Sequence, residues 1–248
     1  MSDLPKKGRH VEPGRLADLA AASRILADHG VVDGFGHVSM RHPDAPDRFL
    51  MSRSLAPALV TPADIQEYDL DCTPTRKDAA NGFLERFIHG EIYKVRPDIH
   101  SIVHSHSPSV IPFSLVRQSM RAMFHNAAFL ATEVPVFDIA EEFGPTDMLV
   151  CDCPKGAALA RTLGRRDVAL MRAHGSVACG PTLEIAVFRA VYTEVNARIQ
   201  HWTHSLCSKG AIAALTPQEG DLADGPNRTA GMRAWDLWRT QARDRYGW

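Results

Sequence analysis

The stretch Ser101-Ile102-Val103-His104-Ser105-His106-Ser107 turns from an apolar run into two histidines one residue apart. Strand side chains repeat their direction every two residues, so both imidazoles are expected on one face, which is half of a metal site. Glu85, in Phe83-Leu84-Glu85-Arg86-Phe87, and His174, in Met171-Arg172-Ala173-His174-Gly175, supply the other donors. Three neutral imidazoles leave a divalent ion most of its charge, and an incomplete protein shell leaves room for substrate oxygens. The chemistry expected of such an ion is that of a Lewis acid.

Rival uses of the same residue types were weighed. With 12 histidines in the chain, a His-Ser-His pair alone arises readily by chance; a second histidine at a strand end and a glutamate on a helix lift it above that level. His100 shares strand parity with His104 but reads as an ordinary hydrogen-bonded histidine. His42, His89, His201 and His204 are expected at surfaces or helix contacts, and Glu91, Asp98 and Glu194 as solvated or paired carboxylates. Cys151-Asp152-Cys153 lacks a second thiolate pair. The five cysteines, odd in number and without C-x-x-C spacing, read as reduced thiols. A cupin would also use His-x-His, but that all-β barrel has no place for helices capped at Thr61 and Thr182.

The elements that must position these donors follow from local signals. A helix is expected from about Pro13 to His29, with Leu16, Leu19, Ala20, Ser23 and Leu26 on one face and Gly30 as its stop. Gly34-Phe35-Gly36 turns into a strand at His37 to Arg41. Asp44 to Asp47 forms a turn, and Arg48 to Ser52 a second strand. Thr61-Pro62-Ala63-Asp64 starts a short helix, and a strand follows near Glu67 to Asp71. Residues 73–81 read as a loop, and the helix carrying Glu85 spans Gly82 to Val95, ended by Arg96-Pro97.

Beyond the His104 strand, helices are expected at 107–116, at 154–163, from Thr182 to His204 and from Thr229 to Tyr246. Strands are expected at Val134 to Asp138 and Val168 to Arg172. Alternating helices and strands predict an α/β protein, a sheet layered with helices. At 248 residues and 45% hydrophobic, a single domain is expected over 1–248, with 1–12 as a loose N-terminal arm and 205–248 as a C-terminal helical extension. A formal charge of -1, spread along the chain, argues against nucleic acid or an anionic membrane and for a small-molecule partner. With no signal-peptide pattern and no long apolar window, a cytoplasmic location is expected.

Glu85, Arg96-Pro97-Asp98, His104-Ser105-His106 and His174-Gly175 together resemble the motif of the class II aldolase and adducin superfamily, over about Arg15 to Gln200. The resemblance implies a three-layer αβα fold with a largely antiparallel central sheet, and a homotetramer with active sites between subunits. It also implies one divalent ion per subunit, zinc, manganese or similar, on His104, His106 and His174, with Glu85 as the acid/base carboxylate. The adducin branch, a noncatalytic interaction module, is one alternative; the complete donor set favours an enzyme.

This sequence departs from the sugar-phosphate aldolases of that superfamily where they hold phosphate. Their Gly-Asn turn reads Gly36-His37, their Thr-Gly pair reads Ser54-Leu55, and Phe83-Leu84 replace two serines. A phosphate cradle needs bare N–H groups and hydroxyls, which Phe83 and Leu84 do not offer. Sugar-phosphate cleavage is therefore the second alternative. The pattern looks more like the superfamily's decarboxylases of hydroxypyridine and dihydroxyphthalate acids, which implies loss of CO2 from a hydroxylated aromatic acid through a metal-chelated phenolate. His37, Ser52, Arg53, Ser54, His125 and Tyr192 are the expected substrate-binding residues, with Arg53 suited to a second carboxylate. His37 and His125 are also alternates to Glu85 as proton donor.

Overall fold

The computed structural model describes residues 11–116, 119–206 and 212–247, so most of the expected N-terminal arm lies outside the described residues. Helix α1 (Pro13–Asp28) has proline at its first turn and buries Leu19, Ala20, Ser23 and Leu26 of the predicted face, but also the rest of the run Leu19 to Leu26, while Leu16 stays half-buried. The strands are β1 (His37–His42), β2 (Ala45–Ser52), β3 (Ile65–Asp69), β4 (Ser101–Ser105), β5 (Val136–Phe137), β6 (Val168–Met171) and β7 (Gly175–Gly180). Among the described residues they form one sheet in the order β3-β2-β1-β4-β7-β6-β5. Every neighbouring pair is antiparallel except β5 with β6. The remaining helices are α2 (Phe87–Val95), α3 (Ile139–Phe143), α4 (Cys153–Leu163), α5 (Leu183–Leu206) and α6 (Pro217–Tyr246).

The period of two sorts each strand onto two helical layers. Val38 and Met40 of β1, Val103 of β4, Val168 and Leu170 of β6 and Ala178 of β7 pack with residues of α1, α5 and α6. Ile102 of β4, Ala169 and Met171 of β6, and Val177 and Cys179 of β7 pack with Ile88, Ile92 and Tyr93 of α2 and Leu159 of α4. The result is the expected αβα arrangement, and His37, Ser39, Ile102 and His104 share the α2 side by the same parity.

Several boundaries differ from the local reading. The first hairpin turns at Pro43-Asp44, and β2 begins at Ala45 rather than Arg48. Strand β3 starts two residues early because Asp64 ends the preceding 3-10 turn and Ile65 pairs with Ser52. The segment 107–116 is a turn and a short 3-10 stretch, Ile111–Ser114, because Pro112 and side-chain bonds from Ser107 and Ser109 to Glu194 divert the backbone from an α-helix. The strand β7, the short helix α3 and the 3-10 segment His125–Leu130 carry no clear periodic signal and were not expected.

The terminal helix is longer than its apolar pattern suggests. The local reading expects a helix only from Thr229, yet Thr216 and Glu219 exchange capping hydrogen bonds and start α6 at Pro217. Trp235, Trp238 and Ala242 then bury against the α1 and α5 layer, with the Trp238 ring edge-on to His29 at 4.7 Å. That buried face holds the helix against its poor propensity. No helix among the described residues is long and apolar enough to cross a membrane.

Candidate metal centre and adjoining pocket

Three elements deliver the four expected donors to one point. His104 is the fourth of the five buried residues of β4, opposite His37 of β1 and Val177 of β7. His106 lies one residue beyond that strand, where the chain leaves the sheet, so strand parity alone does not aim it. His174 sits in the β6–β7 turn, not on a strand. Ala173 takes a left-handed φ of 55° and its N–H donates to Ser114 Oγ at 3.0 Å. Gly175 follows because a Cβ there would meet the Ser105 carbonyl oxygen at 2.0 Å, so only glycine lets the turn close onto β4. Glu85 lies in the 3-10 turn Leu84–Arg86 ahead of α2, with φ -91° and ψ 19°, rather than in the helix itself.

The donor atoms converge. His106 Nε2 is 3.1 Å from His104 Nε2 and 3.1 Å from His174 Nε2. Glu85 Oε2 is 3.5 Å from His104 Nε2 and 3.3 Å from His174 Nε2. Backbone carbonyls fix two of the rings: His104 Nδ1 donates to Ser176 at 3.1 Å and His174 Nδ1 to Met148 at 3.0 Å. Carbonyls only accept, so those Nδ1 atoms carry the hydrogens and the Nε2 lone pairs face inward. Met148 has a left-handed φ of 68°, backbone strain of the kind found at ligand clamps. The other Glu85 oxygen, Oε1, accepts from the Val150 N–H at 3.0 Å, which turns Oε2 to the histidines.

Lone pairs this close repel one another and the buried carboxylate unless positive charge lies between them. The donor set therefore fits a divalent ion. The electrostatics agree. Burial pushes the Glu85 carboxyl up, but positive charge and a donor at the His104 and His174 Nε2 positions, which an ion would replace, outweigh it and hold the group well below the usual carboxylate range. Burial and the neighbouring His104 and His174 push His106 down to about 4, so its ring is neutral and ready to ligate at neutral pH.

A cavity of about 680 Å³ opens beside Glu85 and His106. Its wall includes Phe35, His37, Ser54, Leu55, Phe83, Leu84 and Leu149. Phe35 stacks near His106, with centroids 6.2 Å apart and planes at 24°, and the Phe83 ring lies 4.6 Å from that of His37. The tight turn at Gly36, φ +92°, delivers His37 to this wall, and a Cβ there would strike Val32 at 2.5 Å.

The remaining expected substrate residues are placed differently. Arg53 Nε pairs with Asp64 at 2.7 Å, where the Asp64 carboxylate also accepts from Thr61, so this guanidinium is engaged away from the cavity wall. Ser52 is buried where β2 pairs with β3. Tyr192 packs among Phe124, Phe188 and Trp238, and His125 is an exposed residue at the head of a 3-10 segment. None of these four lines the cavity.

Local patterning also missed some residues. His89 is fully buried rather than superficial, because its face of α2 lies on the sheet and its ring bonds His37. Phe35 and Leu149 are pocket walls supplied by loops, and the fixing carbonyls of Met148 and Ser176 belong to backbone, which no motif reveals. The glycines flanking Phe35 were the one available signal for it. Cys153 lies with Asp71 and Glu91, but Lys94 Nζ already donates to Asp71 at 2.7 Å and Glu91 at 2.5 Å, which supplies that cluster with its own cation.

Comparison with known proteins agrees with this architecture. The Class II Aldolase and Adducin N-terminal domain matches residues 17–201. Decarboxylase tropJ of Talaromyces stipitatus is 36% identical over 235 residues, covering 86% of this chain and 88% of that protein. The 3,4-dihydroxyphthalate decarboxylase of Arthrobacter keyseri is 28% identical over 236 residues, covering 89% of this chain and 90% of its own. Among solved structures, L-fuculose 1-phosphate aldolase from Glaciozyma antarctica PI12 superposes with a TM-score of 0.76 at 20% identity, covering 98% of this chain and 95% of the other. That structural likeness concerns the fold.

Proposed function

This chain belongs to the class II aldolase and adducin family, and from that premise we propose that it is a divalent-metal-dependent lyase that decarboxylates a hydroxylated aromatic carboxylic acid. The observation that carries this reading is the cavity wall. An apolar slot flanked by Phe35, Phe83, Leu84 and Leu149 opens onto the donor cluster, and it suits a flat ring better than a phosphorylated sugar chain. The names of the decarboxylase relatives support the same substrate class.

His104, His106 and His174 would hold the ion, zinc or manganese, with Glu85 beside it. When bound, the ion supplies Lewis acidity that draws charge from the substrate's oxygens. The chain's own residues do the rest. Phe35 and Phe83 confine the ring and exclude water from it. Glu85, whose Oε2 faces the histidine nitrogens at 3.3 to 3.5 Å, takes the phenolic proton and returns it to the ring carbon that CO2 leaves. The electron pair of the broken carbon–carbon bond becomes the new C–H bond. His37 and Ser54 are the polar side chains on the wall within reach of a carboxylate. The reading includes a homotetramer in the cytoplasm, and the exposed Phe35 and Leu84 at the cavity rim supply apolar surface for a neighbouring subunit to cover.

The test is direct. Zinc- or manganese-loaded protein is incubated with a panel of ortho-hydroxy aromatic mono- and dicarboxylates and of phosphorylated ketoses. CO2 release from a member of the first set is expected. No CO2 from any of them, with an aldehyde formed from a ketose phosphate, overturns the reading in favour of aldol cleavage; a protein that takes up no metal and turns over neither set is an interaction module.

A further inference from the structure

Behind the pocket wall a file of buried polar side chains leads from His37 into the α2 layer. His37 Nδ1 is 2.8 Å from His89 Nε2, His89 Nδ1 is 2.6 Å from Ser39 Oγ, and Ser39 Oγ is 2.8 Å from the Tyr93 hydroxyl. Their exposures are 6%, 0%, 0% and 1%. The sequence explains the line-up. His37 and Ser39 are two apart on β1 and share a face, while His89 and Tyr93 are four apart on α2 and share a stripe.

The file has one consistent direction. Burial raises the Tyr93 pKa, so the phenol keeps its proton, and Ser39 Oγ is its hydrogen-bond partner among the described residues. A buried O–H must donate, so Tyr93 donates to Ser39. The single Ser39 hydrogen then points to His89 Nδ1. His89 accordingly bears its hydrogen on Nε2 and donates it to His37 Nδ1. The reverse direction would strand the phenolic hydrogen in the core. Both imidazoles are neutral in this scheme, since each contact of the file then has one donor and one acceptor.

We infer that Tyr93, Ser39 and His89 are positioning residues that hold His37 as its Nε2–H tautomer, a fixed hydrogen-bond donor to the substrate's carboxylate. Nε2 is the ring nitrogen left over from the file; it has no bond to a described residue and is not sealed from solvent, and His37 lines the cavity. The placement is apt, since the His37 ring stands 5.1 Å from that of His104 and 4.6 Å from that of Phe83. A preset N–H there orients a carboxylate without reorganisation when substrate arrives. It also gives His37 a job distinct from proton delivery: the ring holds a hydrogen throughout the reaction, and Glu85 moves one. The identity of the ligand group rests on the decarboxylase reading; the tautomer does not.

The experiment reads the tautomer first. Two-bond proton–nitrogen correlation spectra of histidine-labelled, zinc-loaded protein without substrate are expected to show His37 protonated at Nε2. A His37 protonated at Nδ1 in the wild-type protein overturns the relay outright. In Ser39→Ala, with zinc content unchanged, both tautomers are expected; an unaltered Nε2–H signal also overturns it. Turnover supplies the second readout. Tyr93→Phe and His89→Leu are expected to lower kcat by about ten- to hundredfold, the usual size for groups that orient a contacting residue. His89→Gln, whose amide accepts from Ser39 and donates to His37, is expected to recover most of that loss; equal damage from Leu and Gln counts against the relay. Because the spectra need no substrate, a protein with the expected tautomer that decarboxylates nothing refutes the proposed reaction while leaving the relay intact.

Discussion

Two buried groups of histidines stand side by side in this molecule, and they are wired in opposite ways. In the His104, His106 and His174 cluster the Nε2 atoms face one another at 3.1 Å with Glu85 beside them, so acceptors meet acceptors. In the His37 and His89 file every contact can be written as donor to acceptor, ending on the Tyr93 hydroxyl. The rings of the two groups come within 5.1 Å of each other at His37 and His104. Residue type does not separate a ligand from a structural histidine here; the atom that its other nitrogen meets does. The first group fits an added cation, whereas the second pairs its own donors and acceptors.

Five experiments bear on that contrast. The largest effect is expected from His104→Ala, which removes a ligand and should abolish both stoichiometric metal binding and turnover, as read by elemental analysis and CO2 release. Retained metal with full activity would erase the distinction. Glu85→Gln should keep the ion, since three imidazoles remain, yet lower kcat by about 10²- to 10⁴-fold, the range for loss of a general acid or base. Metal removal should act on the cluster alone. Zinc at a hundredfold excess over its Kd is expected to stabilise the folded chain by about 2.7 kcal/mol relative to chelated protein. The same increment should appear in Tyr93→Phe, and a smaller one would mean that the two groups are coupled.

The file should instead reveal itself through pH. Burial, and then the charge of neighbouring imidazoles, lowers the pKa of His37 and of His89 in the folded chain well below the ordinary 6.5. As pH falls through 6.5 the unfolded chain binds protons that the folded chain refuses. Their contribution to stability is therefore complete above 6.5 and is lost as pH drops below it. The slope is about 1.4 kcal/mol per pH unit for each such group. Urea midpoints of the zinc-loaded protein at pH 7, 6 and 5 check the sign, because bound zinc keeps its ligands from titrating. His89→Gln should flatten the slope by about one group's worth. The smallest effect is expected at the third cluster. Lys94 pairs with exposed Asp71 and buried Glu91 away from the site, so Lys94→Ala should leave turnover, read by CO2 release, unchanged.

A good deal of this was legible in the chain. The four donors and a sheet layered with helices follow from residue types and short-range periods, while the loss of a phosphate cradle at Phe83 and Leu84 shows only against the family's motif. The structure seats Phe83 and Leu84 on the cavity wall as that reasoning requires. Arg53 shows the opposite case. Its chemistry suits a carboxylate, and it found one in Asp64, eleven residues along the chain. His89 shows it again: a helix histidine with no special neighbours in sequence becomes fully buried because α2 lies across the strand that carries His37.

The sequence by itself determined what each element offers: donor types, caps such as that of Thr61, and the parity that sends His37 and Ser39 to the same side of β1. These depend on backbone geometry repeated over a few residues. Tertiary structure alone decided which nitrogen of each ring faces inward, that His106 acts from just beyond the strand, and that Glu85 turns one oxygen to the Val150 N–H and the other to the histidines. Those choices are made by partners 26 to 72 positions away, Met148 for His174, Val150 for Glu85 and Ser176 for His104. Hydrogen bonds reach only about 3 Å, so their direction is fixed when the sheet closes and not before.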